Sequence, residues 1–166
     1  MNTQQPQITV AIDGCGAPVF YVPLRRIAQA YAKFAAAQET PAAGPLTAAM
    51  ATLTRACLAH PRLIAGDGRR CTDIMQALPG RVLAKTGAEG GYALALPHEG
   101  LGVAIKIADG HARGLNPTAV ETLAQVNILT PEAAGVLAGY HQPTIKNHRK
   151  EIVGQVRPVF SLEKTG

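Results

Sequence analysis

The fold of this chain turns on one segment, Arg81-Val-Leu-Ala-Lys-Thr-Gly-Ala-Glu-Gly-Gly91. Its apolar run predicts a buried strand from Val82 to Thr86, and the glycines after it predict a tight turn. A lysine is almost never fully buried without a partner. We therefore expect Lys85, near the end of this strand, to point into a cleft. The alternative is a solvated lysine at a strand edge.

Two more strands are predicted directly after this one. Tyr92–Leu96 and Gly102–Ala108 alternate large apolar residues with alanine or lysine, as half-buried strands do. The connections between the three segments are short, and short connections join antiparallel neighbours. The sequence thus predicts an antiparallel three-stranded meander with one markedly apolar face.

Helical segments lie before and after this meander in the chain. Apolar residues at helical spacing, together with proline and capping signals, predict helices over 23–38, 46–59, 71–78, 117–127 and 131–139. Thr72-Asp73, Asn116-Pro117 and Thr130-Pro131 are the expected N-terminal caps. Further strands are predicted at 8–12 and 152–159. The expected fold class is α+β, an antiparallel sheet flanked by helices.

Length, charge and cysteine content narrow the function classes. A chain of 166 residues is expected to form a single domain over 1–166. The net charge of +5 comes from scattered basic residues without interleaved aromatics, so we expect no nucleic-acid partner. There is no apolar run of membrane-spanning length and the polar start does not resemble a signal peptide, so we expect no membrane contact and a cytoplasmic location. The three cysteines match neither a disulfide framework nor a CxxC zinc pattern, and Cys57 is expected in the core.

Two glycine-rich loops carry candidate site residues. Asp13-Gly-Cys-Gly-Ala-Pro18 places a carboxylate and a thiol two residues apart, which can hold a metal or a water; the alternative is a turn in which the aspartate bonds its own backbone. Gly66-Asp-Gly-Arg-Arg70 is the second loop. Arg69 there either steers a carboxylate in a cleft or is a solvated turn residue.

Several of these stretches resemble one known family. Lys-Thr-Gly on a strand is one of three motifs of class A β-lactamases and penicillin-binding proteins, which transfer an acyl group to a serine. The longer Lys85-Thr-Gly-Ala-Glu-Gly90 resembles the signature of the asparaginase II family of amidohydrolases. The stretches 12–18, 66–73 and 101–110 resemble the same family in the same order, and 153–158 matches it more weakly. In the second loop the family usually has Gly-Thr-Gly-Arg, so Asp67 is a departure.

The resemblance implies a fold, a reaction and a set of roles. The fold is the C-terminal half of a serine β-lactamase and glutaminase-like domain, and the reaction is hydrolysis of L-asparagine to L-aspartate and ammonia. Lys85 would belong to a catalytic serine–lysine pair, Asp13 would lie beside the active site, and Thr86 and Gly87 would contact the substrate. Cys15 would be a zinc ligand, completed in the family by a second cysteine and a lysine from an earlier segment.

The expected nucleophile has no counterpart in this chain. In the family it is the serine of Ser-x-x-Lys, well before the lysine strand, whereas the sole serine here is Ser161. Ser161-Leu-Glu-Lys164 and Lys164-Thr-Gly166 spell both motifs at the chain end, where such short patterns arise by chance. The resemblance thus implies a truncated chain, inactive alone, lacking the N-terminal half of the domain. Open edges on strands 81–86 and 152–159 would favour association with an N-terminal-half chain or a homo-oligomer. The alternatives are a non-catalytic small-amino-acid binding module and a nucleic-acid-binding protein with a basic face over 141–157.

Overall fold

The computed structural model describes residues 8–163, except for the side chain of Pro41. Within these residues there are three small antiparallel sheets and six α-helices. In chain order the elements are β1 (Thr9–Ile12), β2 (Pro18–Tyr21), α1 (Leu24–Ala36), α2 (Pro45–Ala59), α3 (Arg62–Ala65), α4 (Arg70–Ala77), β3 (Leu83–Thr86), β4 (Gly91–Leu96), β5 (Leu101–Lys106), α5 (Ala112–Gln125), α6 (Pro131–His141), β6 (Thr144–Lys146) and β7 (Ile152–Gln155). Short 3₁₀ helices lie at Pro41–Ala43 and Pro97–Glu99.

The central sheet has the order β3-β4-β5, and both pairings are antiparallel. Lys85 lies opposite Ala93 and Thr86 opposite Tyr92 in its register. The middle strand β4 is buried from Tyr92 to Leu96. The predicted meander is therefore confirmed, and β3, which carries Lys85, is an edge strand of this sheet.

Helices cover both faces of the central sheet. On one face α1 packs against β4 and β5, and Ala35 of α1 clusters with Leu83 and Ala95. On the other face the larger core forms between the sheet and α4, α5 and α6. Its fully buried side chains include Ile74, Leu78, Val82, Leu94, Leu96, Leu123 and Leu137. The α+β class with an antiparallel sheet flanked by helices is confirmed.

Gly102 on β5 sets how closely α1 approaches the sheet. A Cβ atom placed on Gly102 would lie 1.9 Å from the carbonyl oxygen of Ala28 and 2.3 Å from the backbone nitrogen of Ala32. No side chain fits in that space, because the obstructing atoms belong to the helix backbone. Glycine at this position therefore lets α1 rest directly on the strand.

Two hairpins lie outside this layered unit. β1 pairs with β2 from Thr9–Tyr21 to Ile12–Pro18, and β6 pairs with β7. In the first hairpin Ile12 is 72% exposed, Phe20 60% and Tyr21 70%. The sequence predicted β1 and all of β7, although the predicted strand 152–159 runs past the end of β7 at Gln155, and it did not predict β2 or β6.

Helix starts were harder to predict than helix positions. Thr130 caps α6 as expected, since its Oγ1 accepts from the backbone N–H of Ala133 at 3.2 Å. The Thr72-Asp73 cap is wrong: α4 begins at Arg70, and the Thr72 hydroxyl instead donates to the carbonyl of Gly66 at 2.6 Å. The Asn116-Pro117 cap is also wrong, because α5 begins at Ala112 and His111 Nδ1 accepts from Arg113 N.

None of the helices within 8–163 combines the length and the hydropathy that crossing a bilayer requires.

Candidate functional site

Lys85 lies at the open end of an otherwise buried strand. Side chains alternate between the two faces of a strand, so Leu83 and Lys85 face α1 while Ala84 and Thr86 face α4 and α5. Lys85 is exposed, and its Nζ donates to its neighbour Thr86 O at 3.2 Å. None of the ion pairs within residues 8–163 includes it. Its ammonium group is therefore available to a ligand.

A cavity of about 400 Å³ opens beside this lysine, and we call it the Lys85 pocket. Its residues come from the end of β3, from the start of α1 and from the facing strands: Leu24, Ile27, Tyr31, Lys85, Thr86, Gly87, Ala93, Ile105 and Lys106 among them. Most of the walls are apolar, and the two lysines supply the charge. Lys106 Nζ donates to the backbone carbonyl of Glu89.

Thr86 and Gly87 form the rim between this cavity and a second one. Both residues line the Lys85 pocket and also the second cavity. Gly87 N donates to Gly91 O at 2.9 Å, which closes the turn after β3. Within the turn Glu89 and Gly90 adopt φ values of 52° and 71°. The predicted tight turn is confirmed, and it presents Thr86 and Gly87 at the end of the strand.

The second cavity, of about 390 Å³, is built around Arg70, and we call it the Arg70 pocket. Arg70 Nη2 donates to Thr86 Oγ1 at 3.2 Å and Nη1 donates to Asn116 Oδ1. The guanidinium carbon lies 4.7 Å from the centre of the Tyr92 ring, within the range of a cation–π contact. Arg70 Nε is buried without a hydrogen-bond partner. A buried donor left unpaired costs about 1–3 kcal/mol, so this arginine is not placed for stability alone.

Two tyrosines near Arg70 are perturbed by burial. Burial raises the pKa of the Tyr92 phenol well above its usual value, and the Cys71 thiol beside it adds to the rise. The Tyr92 hydroxyl itself has no hydrogen-bond partner. Burial and the bond that Tyr140 donates to Asp73 Oδ2, at 2.5 Å, raise the pKa of Tyr140 to about 12. Both phenols therefore stay neutral at physiological pH.

Asp13 and Cys15 lie together in the turn between β1 and β2. Asp13 Oδ1 accepts from Gly14 N at 2.8 Å, and its backbone closes the turn through bonds to Gly16 and Ala17. Cys15 Sγ lies 3.7 Å from Asp13 Oδ2. Both residues are exposed, and neither lines the Lys85 pocket. The structure thus brings Asp13 and Cys15 together but does not join them to Lys85.

The donors around Cys15 do not fit a complete zinc site. Structural zinc is held by four ligands, and catalytic zinc by three protein ligands plus water. Cys15 and Asp13 supply two. In residues 8–163 no group of three or more His, Cys, Asp or Glu side chains is placed to hold a metal ion.

The sequence patterns do not identify two residues of the site, Arg70 and Asn116. Arg69 is exposed and lines the Arg70 pocket, but its neighbour Arg70 makes the specific contacts. The sequence pattern predicts Asn116 as a helix cap, but its Oδ1 accepts a hydrogen bond from Arg70, 46 residues earlier in the chain. The adjacent arginines were a visible signal; nothing local in the sequence pairs either of them with Asn116.

Ser161 lies on the exposed segment after β7. Gln125 of α5 holds this segment, since its Nε2 donates to Phe160 O and its Oε1 accepts from Leu162 N. Ser161 does not line the Lys85 pocket. Lys164, which would complete both chance motifs, lies outside the described residues.

Comparison with known proteins covers nearly the whole chain. Residues 1–158 match the family model described as L-asparaginase II. No curated protein matches the chain. The match contains both the turn with Asp13 and Cys15 and the strand with Lys85.

Proposed function

The chain belongs to the L-asparaginase II family, and from this premise we propose that its reaction is hydrolysis of the side-chain amide of L-asparagine to L-aspartate and ammonia. The observation that carries the proposal is the placement of Lys85. It lies on β3 next to the buried Leu83 and Ala84, its Nζ bonds only a neighbouring carbonyl, and its side chain lines a cavity of about 400 Å³. Pockets of this size hold small ligands.

Under this proposal Lys85 moves protons in an acyl transfer. A hydroxyl oxygen attacks the amide carbon and forms an ester, the C–N bond breaks, and the hydroxyl proton passes to the departing nitrogen, which leaves as ammonia. Water then cleaves the resulting ester and releases L-aspartate. An amine that alternates between its protonated and neutral forms can take the proton from the nucleophile and return it to the leaving group. Thr86 and Gly87, at the pocket rim, contact the substrate.

The nucleophile is proposed to come from a second polypeptide segment. No serine precedes position 161 in the sequence. Among the described residues, those that line the Lys85 pocket include neither serine nor cysteine. A chain or segment with the family's Ser-x-x-Lys, docked beside β3, would supply it. The fold would then be the C-terminal half of a β-lactamase-like domain. Cys15 would contribute one thiolate to a zinc site whose other ligands also come from that partner.

An ammonia-release assay with L-asparagine tests the reaction. The chain alone is expected to release no ammonia, and a mixture with a family N-terminal half that carries Ser-x-x-Lys is expected to release it. Lys85→Ala should abolish this release. Lys146→Ala removes another exposed strand lysine, on β6, and should leave it unchanged. Ammonia release in the mixture that survives Lys85→Ala would contradict the role of Lys85.

A second candidate function is amino-acid binding without turnover. It is favoured by the lack of a serine or cysteine in the Lys85 pocket, next to a second, more polar cavity. Ligands that bind only the folded state raise the melting temperature. Stabilisation by L-asparagine with no ammonia release, both alone and with the N-terminal half, would favour this candidate over the enzyme.

A further inference from the structure

The Arg70 pocket contains a positive charge that has no counter-ion among the described residues. A guanidinium group has five N–H donors. Arg70 uses one on Asn116 and one on Thr86, and its Nε–H has no partner. Within residues 8–163 no carboxylate forms an ion pair with it. The guanidinium carbon also lies over the Tyr92 ring, 4.7 Å from its centre.

This arrangement suits a carboxylate ligand. The planar fork of an arginine matches the two oxygens of a carboxylate, and charge-assisted bonds of this kind are stronger than neutral ones. Asn116 and Thr86 each accept a hydrogen bond from the guanidinium, so little side-chain freedom is lost when a ligand binds. Arg69 at the rim adds a second positive charge.

The opposite charge is supplied by Glu89, the acidic residue that lines this pocket. Glu89 is exposed and forms no ion pair within the described residues. Its left-handed backbone, with a φ of 52°, turns it toward the neighbouring loop. There its Oε2 lies 3.0 Å from where a Cβ on Gly110 would stand. The pocket thus presents an unpaired guanidinium and an unpaired carboxylate.

We propose that the Arg70 pocket binds the head group of a free α-amino acid, with Arg70 on the carboxylate and Glu89 on the ammonium group. The choice of an amino acid related to aspartate rests on the proposed function. A zwitterionic head group meets both unpaired charges at once, which a simple anion does not. Thr86 lines this pocket as well as the Lys85 pocket, so a head group seated here lies next to the proposed reaction site.

Calorimetric titration of the full chain with L-aspartate, the proposed product, tests the assignment without turnover. Two matched compounds each lack one head-group charge: succinate has no amino group and β-alanine has no α-carboxylate. L-aspartate is expected to bind at least about tenfold more tightly than either compound, since each lacks a charge-assisted contact.

Variants assign the two contacts separately. Arg70→Lys keeps the charge but removes the fork, and it should weaken L-aspartate binding about tenfold. Arg55→Lys makes the same change on an exposed arginine of α2 and should have no effect. Glu89→Gln, on an exposed turn, should weaken L-aspartate but leave succinate unchanged. This variant keeps the test decisive if Arg70→Lys does not fold.

Three results would overturn the proposal: no binding of L-aspartate at millimolar concentration, equal binding of succinate, or L-aspartate binding that Glu89→Gln leaves unchanged. Failure of the proposed reaction gives a different result. In that case L-aspartate binds and responds to both variants, while ammonia is never released from L-asparagine even with the N-terminal half present.

Discussion

The strand that carries Lys85 and the hairpin that carries Cys15 differ in what holds them in place. β3 is paired with β4 and packs against α4 and α2, and Val82–Ala84 are buried there. The β1–β2 hairpin is held by its own pairing and turn bonds, and its large apolar side chains face solvent. The position of Lys85 is therefore fixed by the core of this chain. The position of Cys15 relative to any site depends on what the hairpin contacts.

Replacing a glycine by alanine should give the largest difference in stability loss between the two regions. Gly102→Ala would force a methyl group onto the backbone of α1, so we expect a loss of about 4 kcal/mol or more in the free energy of unfolding. Gly14→Ala in the hairpin meets no atom within 4 Å and should change it by less than about 0.5 kcal/mol. Urea unfolding measures both. Similar losses in the two variants would remove the contrast.

Truncating a large side chain to alanine should also destabilise the core more than the hairpin, but by a smaller difference. Leu94 is 0% exposed, and Leu94→Ala should cost about 2–5 kcal/mol because it leaves a cavity in the core. Tyr21→Ala, on the hairpin, should cost less than about 0.5 kcal/mol. Urea midpoints provide the comparison. A large loss for Tyr21→Ala would mean that the hairpin packs on something in solution.

Light scattering tests whether the hairpin drives association. Burying an exposed Ile or Phe contributes about 1.5–3 kcal/mol, so we expect the chain to associate beyond its mass of 17.3 kDa. The double variant Ile12→Asp, Phe20→Asp should shift it toward the monomer. Leu63→Asp removes an exposed apolar side chain on α3 and should not. A native chain that is monomeric at all concentrations measured would show that the exposed apolar side chains of the hairpin do not drive association.

Lowering the pH should weaken the contact between Glu121 of α5 and His141 of α6, which lies in the helical layer and not in the hairpin. Hydrogen bonds from Gln125 and His141 hold the pKa of Glu121 below its ordinary value of 4.5. A lowered pKa contributes stability above that ordinary value, and the contribution disappears as the pH falls through the folded-state pKa. We expect less than about 1 kcal/mol, because the pair is partly hydrated.

Urea unfolding between pH 6 and pH 3 measures this contribution. The native chain should exceed Glu121→Gln in stability at pH 6, and the difference should close toward pH 3. Glu39→Gln, at an exposed side chain, is the control. A difference that does not change with pH would show that the Glu121 carboxylate contributes nothing by its charge.

The smallest expected effect concerns the amount of zinc that the chain retains. With two donors in the hairpin turn, the isolated chain should retain well below one zinc per chain after dialysis. Metal analysis of the native chain, Cys15→Ser and Cys57→Ser, at a half-buried cysteine of α2, checks this. One tightly held zinc that only Cys15→Ser removes would show that the hairpin finds further ligands, which would reverse the contrast between the regions.

The elements that could be predicted from sequence are those with a strong local pattern. The β3–β5 meander followed from alternation and glycine turns, and Lys85 at its open end followed from the rarity of buried lysines. β6 escaped because a strand of three residues shows too little alternation, and β2 escaped because its first residue is a proline. Pro18 also reads as the end of a turn, yet it opens an edge strand, where a missing N–H is tolerated.

The contacts at the site could not be predicted for a different reason. Arg70, Thr86 and Asn116 come from a helix, a strand and a second helix, and they meet only through tertiary packing. Asn116-Pro117 has the local signature of a helix start, but α5 already runs through Pro117. Local preference was overridden there by the packing of Leu115, Ala119 and Leu123 into the core.

The tyrosines at the Arg70 pocket have a practical consequence for spectroscopy. The chain has four tyrosines and no tryptophan, so its near-ultraviolet circular dichroism has no tryptophan bands. Tyr92 lies rigidly beneath the Arg70 guanidinium, and Tyr140 lines the pocket while bonded to Asp73. Such signals arise from aromatic rings in fixed, asymmetric surroundings. A ligand entering beside Arg70 would perturb Tyr140 directly and Tyr92 through the Arg70 guanidinium, so the unlabelled protein carries its own optical reporter of occupancy.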